Sequence, residues 1–310
     1  MGTTTQISSK HHYLPRFYIK NFCNSKGEIK ISLRREQTFN EIRTYHPANI
    51  FFSSDRNTFE VDGLAPDQLE KYYSDIDNHM AVIFDRLLKD EVVKGKIEVE
   101  TLRTLIHFGY FTKWRVPKID QYFELIKRTV SFSSFGINAM LGTSKIDLEE
   151  LYNDEVSQEL KRFLLSGVLF SDQELYQRVF KDCFILSFPQ PLLLSDSPFL
   201  EDNRVNVYGV PAFILPLSSN LALFYSEKVN KSDFLKFVDS EDYNEFNYSL
   251  YSAIQAAMVL STSRYIGCED KKTLQHFVEL VPEIQKSTSK NLGHFPFDIL
   301  NSYTTFKKKG

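Results

Sequence analysis

Three side chains are the strongest carriers of chemistry in this sequence: His12, Arg115 and Asp196. An imidazole with an ordinary pKa near neutrality takes or gives a proton at physiological pH. A guanidinium clamps phosphate or carboxylate through parallel hydrogen bonds. A carboxylate orients a base or helps to hold a metal. Together they describe a phosphate-ester site, with His12 as acid or base, Arg115 as phosphate clamp and Asp196 as orienter or metal ligand. Each also has a structural reading. His12 can pin the start of the chain to a loop. Arg115 can pair with Glu70 or Asp77 and fix two helices together. Asp196, in Ser195-Asp196-Ser197-Pro198, can form an Asx turn ahead of proline.

Glu70 and Asp77 fall seven residues apart, two turns along one helix face. With Asp196 they make an oxygen set suited to Mg²⁺ or Mn²⁺; the ordinary alternative is a solvated helix face. Lys20, Arg34 and Arg35 are cations that would meet nucleic-acid phosphates while Tyr13 or Tyr18 stacks on a base. Otherwise they are solvated flanks of a core built on Phe17 and Phe22. His11 precedes His12 in an extended segment, so the two rings point to opposite sides. Arg103 and His107, at i and i+4, share a helix face; the pair resembles the Arg-x4-6-His motif of small helical ribonucleases with a spacing of three instead, and the neighbouring aromatics argue that this face is core.

These residues must be positioned by a chain of 310 residues. Asn24-Ser25-Lys26-Gly27 is a turn signal that leads into alternating residues 28–35, a half-buried strand. Residues 53–57 read as a loop between two short strands. Apolar residues at helical spacing predict helices over 66–87, 98–112, 118–130, 147–166 and 171–182, with a Ser/Gly-rich connector at 131–144. Short apolar runs at 184–188, 192–194, 212–216 and 221–225 read as strands buried on both faces. Helices are expected again at 232–237, 243–265 and 273–281. No strict βαβ alternation appears, so the expected fold class is α+β. The expected organisation is one domain over 11–300, between a disordered tail at 1–10 and a basic tail at 301–310. It divides into a β-rich head (11–65), a helical part (66–182), strands (183–227) and further helices (228–300). The early and late strands are expected to share one sheet, with the helical middle as a layer, which would bring His12 towards Asp196.

Composition narrows the function classes. There are 37 Lys and Arg against 40 Asp and Glu, a net charge of -3, so no global cationic field draws the chain to nucleic acid or membrane. The cysteines, Cys23, Cys183 and Cys268, are odd in number and far apart, which fits a reducing cytoplasm. No Cys/His spacing suggests zinc. Neither an apolar signal core nor an apolar run near the ~18 residues of a membrane span occurs. The expectation is a cytoplasmic protein without membrane contact. Phosphate loops, dinucleotide fingerprints, HExxH and GxSxG are absent.

Four motifs then fall into a familiar order. His12-Tyr13-Leu14-Pro15-Arg16-Phe17-Tyr18-Ile19-Lys20-Asn21-Phe22 resembles the His-Tyr-x-Pro-x-Phe-x-Leu-x-x-Phe opening of a prokaryotic domain-of-unknown-function family, number 4238. Leu69 to Asp77 is similar to its acidic helix, with Asp77 in place of the more usual Glu. Phe111 to Pro117 is similar to its aromatic-x-x-x-Arg-Thr-Pro helix end, with Val116 in place of Thr. Ser195-Asp196-Ser197-Pro198 followed by Pro216-Leu217-Ser218 resembles its Ser-Asp-Asn-Pro and Pro-Leu-Ser pair. The resemblance spans about residues 11–266. It marks His12, Pro15, Glu70, Arg115, Asp196 and Pro198 as places without assigning a reaction, and it implies an intracellular prokaryotic protein for which a role in phage defence or as a toxin is expected. The sequence reading is therefore a nuclease-like hydrolase acting on nucleic acid or nucleotides. The alternative is a non-catalytic interaction or sensor subunit, held by a partner protein or by a second copy of the chain.

Overall fold

A computed structural model of the chain describes residues 10–36, 38–58, 65–89, 97–129, 139–141, 144–146, 162–163, 165–167, 173–202, 204, 210–287 and 292–306. The architecture is α+β. Strand β1 (Lys10–His12) leads through Pro15 into the short helix α1 (Arg16–Lys20). Proline, with φ fixed and no N–H to satisfy, suits a helix start. The turn that follows closes on the Asn24 side chain, whose Oδ1 accepts the Lys26 and Glu28 N–H groups at 2.9 and 3.1 Å. Gly27 supplies the positive φ, +72°. Strands β2 (Ile29–Arg35), β3 (Thr38–Phe39), β4 (Arg43–Tyr45) and β5 (Phe52–Ser54) complete the head.

The helical middle comprises α2 (Gln68–Lys89), α3 (Val99–Arg115) and α4 (Ile119–Thr129). Helix α3 ends where Val116, ahead of Pro117, turns extended at ψ 147°. Within the stretch expected to be an irregular connector, β6 (Ala139–Leu141) and β7 (Ser144–Ile146) pair antiparallel. Of the helix expected at 147–166, residues 147–161 and 164 lie outside the described residues. Helix α5 (Gln173–Asp182) precedes β8 (Phe184–Ser187), β9 (Leu194–Ser195), β10 (Leu200–Glu201), β11 (Phe213–Pro216) and β12 (Leu221–Tyr225). Then come α6 (Lys231–Val238), α7 (Tyr243–Ser261), β13 (Tyr265–Cys268), α8 (Lys271–Glu279), α9 (Val281–Ser287), α10 (Phe295–Asn301) and α11 (Tyr303–Phe306).

One antiparallel sheet runs β10-β11-β12-β8, and every residue of β11 and β12 is buried. The other joins distant parts of the chain. Its central strand β13 pairs with β2 on one side and β9 on the other. β4 and β3 cover successive halves of the free edge of β2. Early and late strands thus do share a sheet, but its central strand was not expected, and the helix expected to run to residue 265 ends four residues sooner. Helix α7 stops at Ser261, and Thr262 is extended at ψ 125°. The chain then enters β13, with Ile266, Gly267 and Cys268 buried.

The core binds the opening stretch to both layers. Tyr18, Phe84 and Phe108 meet edge to face, with Phe108 4.9 Å from each of the other two rings. Tyr18 also donates its hydroxyl to the Pro216 carbonyl at the end of β11. Burying each such ring stabilises by roughly 1.5–3 kcal/mol, so α1 is an anchor rather than a loose arm. At the other end, Tyr303 is buried 5.2 Å from the Phe234 ring, so the chain is still packed within the segment expected to be a basic tail.

Candidate functional site

The ladder between β1 and β5 sets His11 opposite Ser53 and His12 opposite Phe52. Alternation along the strand sends the two imidazoles to different sides, as expected. His11 is fully buried, and its Nδ1 accepts the Asn57 N–H at 2.8 Å. Asn57 Nδ2 donates to Glu70 Oε2 on α2 at 2.7 Å. Two turns further, Asp77 meets the last residue of α3: Arg115 Nη1 donates to both its oxygens. The Arg115 guanidinium lies 4.2 Å from the centre of the Tyr73 ring, a cation–π contact. Burial pushes the Asp77 pKa up and Arg115 opposes it; Asp77 in turn raises the pKa of Arg115, keeping the guanidinium charged.

The backbone of Arg115 extends the network. Its carbonyl accepts Arg56 Nε at 3.2 Å. Arg56 then grips Asp120 at 2.9 and 2.7 Å, and Asp120 also receives Arg162. Beside this triad lies an open cleft of about 500 Å³, whose wall includes Ser53, Ser54, Arg56, Asp120 and Arg162. Sequence reasoning missed His11, Arg56, Asn57, Tyr73, Asp120 and Arg162 as members of this site. The one local signal was the Ser53–Asn57 loop between strands, where Asp55 has a φ of +53°.

His12 is half-buried, with the Phe52 ring 5.7 Å away. Its pKa is pushed down to about 4 by burial and by the charges of Arg16 and Arg115, against the pull of the Pro47 and Ala48 carbonyls. The ring is therefore neutral at physiological pH. Its Nε2 is buried and has no hydrogen-bond partner among the described residues. Arg115 Nε shares that condition. The structure thus brings His12 and Arg115 into one electrostatic neighbourhood.

Asp196 is engaged differently. Its Oδ1 accepts Ser263 N–H at 2.8 Å, and its Oδ2 accepts Arg264 and Tyr265 N–H at 2.6 and 3.1 Å. Its own N–H bonds the Tyr265 carbonyl at 2.9 Å. Burial raises its pKa, and the three N–H donors and Lys118 pull it back. The Ser-Asp-Ser-Pro turn is therefore a clasp on the link between α7 and β13. Its charge reaches Tyr13, the neighbour of His12, whose phenol burial pushes up. Among the described residues no hydrogen bond joins Asp196 to His12 or to Arg115.

The remaining candidates separate. Glu70 and Asp77 are taken by Asn57 and Arg115. Among the described residues no three His, Cys, Asp or Glu side chains are placed to hold a metal ion, so the carboxylate set expected for Mg²⁺ or Mn²⁺ does not form there. Lys20 and Arg35 are exposed. Arg34 turns inward and caps the end of α7: its Nη1 donates to the Thr262 and Leu260 carbonyls at 2.7 and 3.3 Å, and its Nε to the Glu36 carbonyl at 3.1 Å. Helix ends leave carbonyls unpaired, and a guanidinium there satisfies several together. No described helix is long and apolar enough to cross a membrane.

Comparison with known proteins agrees with the motif reading. The family described as protein of unknown function (DUF4238) matches residues 10–264. No curated protein and no solved structure matches the chain. The chain belongs to the DUF4238 family.

Proposed function

We propose that the chain is a hydrolase acting on phosphate esters of nucleic acid or nucleotides, with His12 as the group that moves the proton. The observation that carries this reading is the state of His12: neutral, beside the charges of Arg16 and Arg115, with a buried Nε2 that no described residue uses. A neutral imidazole can accept a proton, and a phosphate group bound beside it would offset the two guanidinium charges and draw its pKa back up towards the working pH. Guanidinium charges fixed close to it stabilise the negative charge that gathers on a phosphoryl group in the transition state. Arg115 has Nε still to offer, while Asp77 holds its Nη1. Asp196 is a positioning residue in this scheme. By fixing Ser263 to Tyr265 it sets Arg264 and Tyr265, whose charge and phenol bear on Tyr13. A role in phage defence or as a toxin belongs to this proposal, because an unrestrained nucleic-acid hydrolase harms the cell that makes it.

The test is a substrate panel of single-stranded RNA, single- and double-stranded DNA and nucleoside triphosphates, each with and without Mg²⁺, given to the wild type and to His12→Asn. Cleavage of at least one substrate, falling 100-fold or more in a folded His12→Asn protein, is expected. No cleavage anywhere, or equal rates in both proteins, overturns the reading.

The second reading is a non-catalytic interaction or sensor subunit of a defence complex. It is favoured by α4, where Tyr122 and Leu125, one turn apart, are 50% and 60% exposed. Apolar side chains left on one helix face suit a protein interface. An inactive wild type that forms a dimer disrupted by Leu125→Lys would support it.

A further inference from the structure

Helices α2, α3 and α5 border a second open cavity, of about 410 Å³. It corrects the assignment of the Arg103/His107 face to the core. Both side chains are only half-buried and line this cavity, His79 comes from α2, and Tyr176 and Gln177 come from α5. The size falls within the range of small-molecule sites, roughly 300–1,000 Å³.

Arg103 is held but not spent. Its guanidinium lies 5.4 Å from the centre of the Phe180 ring. Its ion pair with Glu100 is long, 3.9 Å, and that carboxylate is 77% exposed. Its Nε is buried and has no hydrogen-bond partner among the described residues. A buried donor without an acceptor is costly, and an oxyanion that reached it would remove the cost. Around it stand the imidazoles of His79 and His107, the amide of Gln177 and, turned largely to solvent, the Glu100 carboxylate. Burial lowers the His107 pKa, against the pull of Glu100. These groups come from three helices, so they approach the cavity from different sides. Tyr176 and Met80 add apolar wall for the rest of a ligand.

We propose that this cavity binds a phosphate monoester about the size of a mononucleotide, with Arg103 as the anchoring cation and His79, His107 and Gln177 as supporting donors. The site is independent of His12 and stands whether or not the chain is a hydrolase.

The test is calorimetric titration of the full chain with adenosine 5′-monophosphate, inorganic phosphate and adenosine, at one ionic strength set with chloride. Saturable binding of the monophosphate and of phosphate is expected, with adenosine at least ten-fold weaker. Arg103→Gln should weaken monophosphate binding ten-fold or more. His79→Ala combined with Gln177→Ala removes two exposed side chains and should weaken it about five-fold without disturbing the fold; this pair decides the matter if Arg103→Gln melts early. Equal binding of adenosine and its monophosphate, no saturable binding, or wild-type affinity in the folded cavity variants overturns the proposal.

Discussion

Asp77 takes Arg115 with both carboxylate oxygens, 2.8 and 2.9 Å from a single guanidinium nitrogen. The Arg115 side chain is 5% exposed and that of Asp77 23%, so breaking the pair strands a desolvated charge. Arg115→Met and Asp77→Asn should each cost about 3–5 kcal/mol, measured by urea unfolding. A double-mutant cycle should show the two losses to be far from additive, since the second substitution removes a charge that the first had orphaned.

The depressed pKa of His12 has a consequence for acid stability. A histidine that resists protonation when folded but titrates near 6.5 when unfolded contributes stability that is fully present above about 6.5. That stability drains away as pH falls towards about 4. Allowing for its partial exposure, the swing is roughly 1–2 kcal/mol. Unfolding measured between pH 7 and 4 should show this loss in the wild type and a smaller one in His12→Gln.

Asp196→Ala should leave the N–H groups of Ser263, Arg264 and Tyr265 without their acceptor. Ser263 and Arg264 are exposed and can turn to water, so at about 0.5–1.5 kcal/mol for each bond lost a total of about 2–3 kcal/mol is expected. Asp196→Asn, which keeps one acceptor oxygen, should lose less. Amide hydrogen exchange at residues 263–265 would locate the damage. Activity that vanished in Asp196→Asn while exchange and stability stayed as in wild type would instead assign Asp196 to the chemistry.

Gly267 is fitted to its sheet. A Cβ there would lie 2.6 Å from Ile31 Cδ1 and 2.8 Å from Ile29 Cδ1. Gly267→Ala should therefore cost about 1–3 kcal/mol through overpacking. Ile31 sits directly opposite in the ladder, so Ile31→Val should restore part of the stability in the double variant although it is destabilising alone. A chevron or urea midpoint for the four proteins checks the sign of the coupling.

Arg34→Gln should lower stability by about 1–2 kcal/mol through loss of charged hydrogen bonds to the end of α7. Lys20→Ala and Arg35→Ala, both exposed, should stay within about 0.5 kcal/mol of wild type. If the chain binds nucleic acid through Lys20 and Arg35, those two substitutions reduce the salt dependence of binding, whereas Arg34→Gln leaves it unchanged.

The sequence was legible where periodicity is local. Helices α2 to α4, strand β2 and the apolar runs of β8, β11 and β12 follow from spacing alone. Strand β13 was not legible, because the four residues Tyr265-Ile266-Gly267-Cys268 are too few to show a period of their own after a long apolar helix. What ends the helix is the Asp196 clasp, 67 to 69 residues away in sequence. The site divides in the same way. His12, Arg115 and Asp196 could be picked out by residue type and motif, and Arg115 with Asp77 by helix ends. The partners Arg56, Asp120 and Arg162 are ordinary surface types in the sequence, and only tertiary packing joins them into one ion-paired triad. Arg34 misled for the opposite reason: a basic residue beside another reads as a binding patch until its helix-capping contacts are seen.

The sheet centred on β13 also governs how the protein is born. Strand β2 leaves the ribosome early, yet the strand that pairs along it is encoded more than 230 residues later. At about 5–20 residues per second the wait is on the order of ten seconds or more. During synthesis, then, Ile29 and Ile31 belong to a strand whose main partner does not yet exist, and such an edge invites pairing with another chain. The nascent protein is most exposed to aggregation in that interval, and a break in translation anywhere before Tyr265 leaves the sheet without its centre.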